Sequence, residues 1–372
     1  MNYVTYKEVT PTESLNRIME EEKKKIRVVI VDDSAFMRTA IERMLRSDSG
    51  IEIVGSAANG VEAIDRVSRL KPDVVTMDVE MPIMDGLQAL KEIMRICPTP
   101  VLMVSSLTHE GAKVTLDALY LGAVDYIPKP GSTFSTNVLT LKDELIRKIY
   151  CAATSKPSTL KLEFKAGRSS SSRRNITKDE VINKAIFIGA STGGPPAIQK
   201  ILSEIDPNLN APIIIAQHMP KAFTGAFATR LNTICSIRVK EASDGEPLQN
   251  SVAYICPGDN QTRVIRSLSG KCVFSIVSNE EEKDTFAPCI NTLFFSAAKE
   301  FAHNALGIIL TGMGEDGVRG LKNIKLRGGL TLAQDRSTSV VFGMPRAALE
   351  QEAAVRLIHL DDIASEIELF LK

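Results

Sequence analysis

The chain predicts an α/β protein built as two doubly wound units, and three observations carry that prediction. Short β-branched runs alternate with helical patterns twice along 372 residues, a polar stretch divides the two series, and chemically loaded residues recur just after the apolar runs. A chain of this length exceeds one ordinary core and suits two of common size.

In the first series, IRVVIV, IEIVGS, DVVTM, VLMVS and VDYI alternate with helical patterns at 35–45, 60–70, 87–96 and 112–121, and a last helix is expected at 138–149. Five strands with helices between them imply a five-stranded parallel, flavodoxin-like unit over 26–151. Pro72, Pro82, Pro98, Pro128 and Pro130 stand at element ends, where residues unable to continue a helix or a central strand belong. Residues 1–25 form an N-terminal extension with no assigned role. Over 152–183 the composition changes: four serines at 169–172 precede Arg173 and Arg174, and large apolar residues are few. This reads as a flexible linker whose positive charge solvates a tether.

The alternation resumes over 184–372 with AIFIG, PIIIAQ, SVAYIC, TRVIRS, CVFSIV, ALGIIL and GLTLAQ, and with helical patterns at 197–205, 222–231, 290–301 and 318–324. A mainly parallel sheet is expected, with the closely spaced middle runs forming an antiparallel extension. The halves share only their α/β rhythm, so no internal repeat is assigned.

Composition removes several function classes. Lys plus Arg and Asp plus Glu both number 45, which gives no field favouring nucleic acid, and no helix-turn-helix stands in the second half. No run approaches the roughly 18 apolar residues of a membrane span, so membrane insertion is not expected. The six cysteines lack CxxC spacing, and most lie in apolar runs, as reduced core thiols of a cytoplasmic protein do.

Asp32 and Asp33 follow the first strand, and Asp78 ends the third. Right-handed crossovers place those strand ends side by side at a topological switch point. Three carboxylates in one crevice repel unless a hard cation joins them, and Mg²⁺ suits the set. One carboxylate beside that metal can accept a phosphoryl group, with Lys129 and Ser105 beyond neighbouring strand ends to meet the added charge. Asp33 has the alternative of capping the helix near Ala35. The ordered motifs VDDS, MDVEMPIMDG, VSS and DYIPKP closely resemble a response-regulator receiver domain. The resemblance implies that Asp78 is phosphorylated, that Asp32, Asp33 and Asp78 hold Mg²⁺ with the Glu80 backbone, that Lys129 pairs with phosphate, and that Ser105 and Tyr126 relay the change.

In the second half, GASTGG places Ser191 on a glycine-flanked strand-to-helix turn, where a hydroxyl is pushed out of the backbone and amides remain free for an oxyanion. A serine alcohol needs a base and an orienting carboxylate. His109, His303 and His359 lie away from this strand rim, which leaves His218, just after PIIIAQ. Asp316, in TGMGEDG, is the preferred third member, with Glu315, Asp244 and Asp259 as rivals, and the Met313 N–H is a candidate oxyanion donor.

The ordered motifs GASTGG, QHMP, CPGD, LTGMGEDG, AQD and FGMPRAA resemble the chemotaxis protein-glutamate methylesterase family over nearly all of 184–372. The resemblance implies methylated chemoreceptors as substrate and a chemotaxis histidine kinase as phosphodonor, with recruitment to receptor arrays. It implies release of methanol from glutamyl esters, deamidation of selected glutamines, no cofactor for ester hydrolysis, and an unphosphorylated receiver that covers the esterase cleft.

Overall fold

A computed structural model describes residues 25–106, 108–129, 138–155 and 182–372. The N-terminal extension before Lys25 and most of the expected linker, 156–181, lie outside the described residues.

The apolar run IRVVIV forms β1 (Ile26–Val31), buried from Val28 onward, as a central parallel strand covered on both faces must be. It is followed by α1 (Ala35–Leu45), β2 (Ile51–Ala57), α2 (Gly60–Leu70), β3 (Val74–Asp78), α3 (Gly86–Ile96), β4 (Val101–Ser105), α4 (His109–Tyr120), β5 (Asp125–Pro128) and α5 (Val138–Thr154). The strands pair in parallel in the order β2-β1-β3-β4-β5, so the expected five-stranded unit is present and its order reverses between β1 and β3. Side-chain caps open α1 to α4 from Ser34, Asn59, Asp85 and Thr108. Ser34, rather than Asp33, caps α1, accepting from the Met37 N–H. Asp33 is therefore not consumed by the helix end. α5 continues to Thr154, beyond the predicted end of this unit at 151.

The second unit runs β6 (Ala185–Ala190), α6 (Gly194–Glu204), β7 (Ile213–Gln217), α7 (Lys221–Ile234), β8 (Arg238–Glu241), β9 (Val252–Ile255), β10 (Asn260–Arg266), β11 (Cys272–Ser278) and α8 (Asn279–Glu282). It continues with α9 (Ile290–Phe301), β12 (Ala305–Ile309), α10 (Val318–Leu326), β13 (Leu330–Gln334), α11 (Met344–Glu350), β14 (Arg356–Ile358) and α12 (Ile363–Leu371). Seven strands form one parallel sheet in the order β14-β13-β12-β6-β7-β9-β8. The SVAYIC run, expected in the antiparallel extension, is β9 of this sheet and pairs in parallel with β7 and β8. Among the described strands, only β10 and β11 pair antiparallel, as a separate two-stranded ribbon.

The units pack through α4 and β5 on one side and α6 and α7 on the other. Leu116, Leu119 and Tyr126 belong to the same continuous apolar core as Ile201, Phe223 and Phe227. The Tyr126 ring stacks on Phe223 with centroids 4.6 Å apart and planes 17° apart, a contact adding roughly 0.5–1.5 kcal/mol to the burial itself. Arg230 pairs with Asp117 and lies 4.1 Å from the Tyr120 ring centroid. The hydroxyl of Thr192, the residue after Ser191, donates to the Asp125 carboxylate. The same carboxylate stands 3.4 Å from Lys148 Nζ.

Candidate active site and phosphorylation switch

Ser191 leaves the end of β6 because its N–H is taken by Thr311 O at 3.1 Å and Gly193 turns the chain with φ at +77°. A Cβ at Gly193 would also meet Val340 Cβ at 2.6 Å, so the turn requires glycine on both counts. His218 follows β7, its N–H bonded to Ala190 O at 3.0 Å. The Gln217 side chain donates to Ser191 O at 3.0 Å and to His218 O at 3.1 Å, so it ties the two loops together.

These strand ends bring the predicted residues into line. Ser191 Oγ lies 3.3 Å from His218 Nδ1, and His218 Nε2 lies 2.8 Å from Asp316 Oδ2. Asp316 is 6 % exposed and anchored by more than histidine. It accepts from the N–H groups of Ile290 at 2.7 Å, Asn291 at 3.1 Å and Gly317 at 2.8 Å, and from the Cys289 thiol at 3.4 Å. Burial is the largest single influence on this carboxyl and would raise its pKa. The hydrogen bond and charge of His218, with the Ile290 and Asn291 amides, outweigh it and hold Asp316 below the ordinary aspartate value.

The rivals are engaged elsewhere. Glu315 accepts from the Gln351 side chain at 3.0 Å, Asp244 accepts from the Ile276 N–H at 2.8 Å, and the Asp259 carboxylate is drawn to the backbone and charge of Lys221. The Met313 turn lies against Ser191, since a Cβ on Gly312 would come within 2.8 Å of Ser191 Cβ. Among the described residues, neither the Met313 nor the Thr192 N–H is engaged in a hydrogen bond.

Sequence reasoning did not single out Cys289, the α9 amides, Gln217, or Phe286, whose ring stacks on His218. A Cys at the mouth of an apolar helix offered a faint signal. The others depend on contacts that no local pattern encodes.

In the first unit, Asp32 and Asp78 are buried and Asp33 is exposed, and each offers an oxygen lying within 4.8 Å of the others. Lys129 Nζ stands 2.7 Å from Asp78 and 3.6 Å from Asp32. Burial, aided by the Asp32 charge, pushes Asp78 up to about 6 against the pull of Lys129. Asp32 Oδ2 is buried without a hydrogen-bond partner. A hard divalent cation fits this donor set, since it would ligate this oxygen, which Lys129 approaches only to 3.6 Å, and relieve the repulsion. The Glu80 N–H donates to Asp78 at 3.4 Å. Ser105 is the last residue of β4, beside β3, rather than beyond the strand end, and its hydroxyl accepts from Thr115 at 2.7 Å. Tyr126 is turned to the second unit, where Phe223 takes its ring face.

A doubly wound unit with an acidic switch-point cluster, coupled to a second unit that gathers Ser, His and Asp, defines a response-regulator enzyme. Two family models match the chain: the response regulator receiver domain over 28–136 and CheB methylesterase over 186–367. A protein-glutamate methylesterase/protein-glutamine glutaminase of Lawsonia intracellularis is 44 % identical, over 92 % of this chain and 98 % of its own length. A protein of the same description from Pyrococcus abyssi is 42 % identical, over 92 % of this chain and 93 % of its own. The crystal structure of the Thermotoga maritima CheB methylesterase catalytic domain is 36 % identical, with 51 % of this chain and 100 % of that one covered at a TM-score of 0.49. The chain belongs to the family of receiver-linked protein-glutamate methylesterases/protein-glutamine glutaminases.

Proposed function

We propose that Ser191, His218 and Asp316 perform the family's hydrolysis in this chain, acting on glutamyl methyl esters of chemoreceptors, and on selected glutamines, during chemotaxis adaptation. The observation that carries the assignment is the unbroken line from Ser191 Oγ through both ring nitrogens of His218 to Asp316. Ser191 attacks the γ-carbonyl as His218 Nδ1 takes its proton. Asp316, accepting from Nε2–H, holds the tautomer that leaves Nδ1 basic and steadies the imidazolium. The unengaged Met313 and Thr192 amides supply the oxyanion hole. Methanol departs on protonation by His218, and water activated at the same nitrogen cleaves the acyl-serine. The amide route loses ammonia in the same way. No cofactor enters this chemistry.

Control comes from the first unit. Asp78 is the phosphoacceptor, Asp32, Asp33 and Asp78 with the Glu80 backbone would hold Mg²⁺, and that ion supplies charge neutralisation at the phosphoryl oxygens. Lys129 exchanges its Asp78 partner for phosphate, and Ser105 leaves Thr115 to follow it. Tyr126 transmits the change because it already touches Phe223. In the arrangement described, β5 and α4 hold the Ser191 turn and α7 closed, and phosphorylation shifts the population toward separation. A chemotaxis histidine kinase is the phosphodonor, and the protein acts in the cytoplasm at receptor arrays. Among the described residues no helix is long and apolar enough to cross a membrane. The assignment is tested with Ser191→Ala, which stops methanol release from methylated receptor membranes while Asp78 still accepts phosphate from a small phosphodonor. Methanol release by that variant refutes it.

A further inference from the structure

The contact between Phe286 and His218 is a second feature of the site, distinct from the hydrogen-bonded line. The two rings are nearly parallel, with planes 5° apart and centroids 4.4 Å apart. Three residues further on, the Cys289 thiol donates to Asp316 Oδ1 at 3.4 Å. One short segment therefore touches the base through a ring face and the carboxylate through a thiol.

That segment is itself held from outside. Gln261 on β10 is fully buried, and its side chain grips both ends of the segment. Its Nε2 donates to Phe286 O at 2.6 Å and to Asn279 Oδ1 at 2.8 Å, and its Oε1 accepts from the Cys289 N–H at 2.9 Å. The Asp259 N–H adds a bond to Ala287 O at 3.2 Å. The antiparallel ribbon, which contributes no member of the triad, thus fixes where Phe286 stands.

An imidazole torsion is broad and roughly two-fold, so one hydrogen bond to Asp316 anchors a point on the ring and not its plane. The Ser191 contact at 3.3 Å is already long, and a tilt of the ring opens it further. A parallel phenyl face blocks that tilt. When His218 takes the serine proton, the same face lies against a cation, an arrangement favoured by the ring quadrupole.

We propose that Phe286 is a positioning residue for His218, set in place by Gln261 and acting on the proton-transfer step. The proposal rests on the Ser191–His218–Asp316 reading. The test uses the full chain with Phe286→Ala, Phe286→Leu and Phe286→Tyr, read by kcat and KM on receptor membranes. A second readout is the rate at which phenylmethanesulfonyl fluoride inactivates Ser191, which reports nucleophile activation without receptor binding. The Ala and Leu variants are expected to lose about tenfold in kcat and in inactivation rate at unchanged KM, the scale of a desolvated cation–π contact. Tyr, which restores the flat ring, stays within about twofold of the parent by the same reasoning. Leu fills the space without a ring face, so a loss there in a protein that melts like the parent is not general loosening. Wild-type inactivation rates in Ala and Leu, or a Tyr variant as impaired as Ala, overturn the proposal. His218→Ala, run alongside, separates the two ideas: unchanged inactivation in that variant refutes the triad reading itself.

Discussion

Replacing Asp316 by asparagine tests the site most sharply, because both carboxylate oxygens are fully employed. Oδ2 accepts from His218 Nε2 and the Ile290 N–H, and Oδ1 accepts from the Asn291 and Gly317 N–H groups and the Cys289 thiol. An amide NH₂ at the Oδ1 position faces three donors, and at the Oδ2 position it faces two, so the second orientation is the less costly. The Ile290 N–H is then left unpaired in a buried site, at about 1–3 kcal/mol. His218 relieves its own conflict by moving the proton from Nε2 to Nδ1. That proton now points at Ser191, and the base can no longer accept. A wrong tautomer of this kind costs a serine protease about 10⁴ in kcat, equivalent to roughly 5 kcal/mol of barrier. Methanol release from receptor membranes measures the rate, and thermal melting shows whether the fold persists. A folded Asp316→Asn protein within about tenfold of the parent, far from the loss expected for the wrong tautomer, refutes the reasoning.

Two further outcomes are expected. Arg230→Ala removes the Asp117 pair and the contact over Tyr120, together about 1 kcal/mol for partly exposed groups. Because Arg230 Nε is buried without a partner, part of that loss is offset. Unphosphorylated methylesterase activity should rise about two- to fivefold on that energy scale, and stimulation by a small phosphodonor should shrink; unchanged basal activity argues against this contact as a latch. The second outcome concerns pH. Asp316 is held below the ordinary aspartate pKa, so its stabilising contribution is full above the unfolded value of about 3.9 and disappears as pH falls through the lower native value. The stability gap between parent and Asp316→Asn, read from urea midpoints, should be steady near neutrality and narrow below about pH 4. A gap that widens in acid contradicts the assignment.

The parallel sheets were legible because strands buried on both faces are continuous apolar runs, as in IRVVIV and AIFIG. The convergence of Ser191, His218 and Asp316 was legible for a related reason: parallel strands present their carboxyl ends on one rim, so residues just after such runs meet in space. β8 and β14 were not foreseen, because RVKE and RLI are short edge strands in which charged residues break the apolar signal. β9 was assigned to the antiparallel part because spacing along the chain does not reveal which neighbour a strand selects. Asp33 and Ser34 are adjacent and both able to cap α1, and only the helix geometry separates them. Phe286 and Cys289 meet His218 and Asp316, with Gln261 holding both, only after the ribbon has packed against α9. Ser105 is one position earlier relative to its strand end than expected, and its hydroxyl direction depends on Thr115, a choice that no one-dimensional pattern records.

Asp125 carries a consequence for how such enzymes can be built. Its carboxylate serves Lys148 within its own unit and the Thr192 hydroxyl in the other, one residue from Ser191. A receiver grafted from another regulator, with a different side chain at that position, strands the hydroxyl in a dry seam and slackens the turn that carries Ser191 before any signal arrives. These halves are exchangeable only as a matched set.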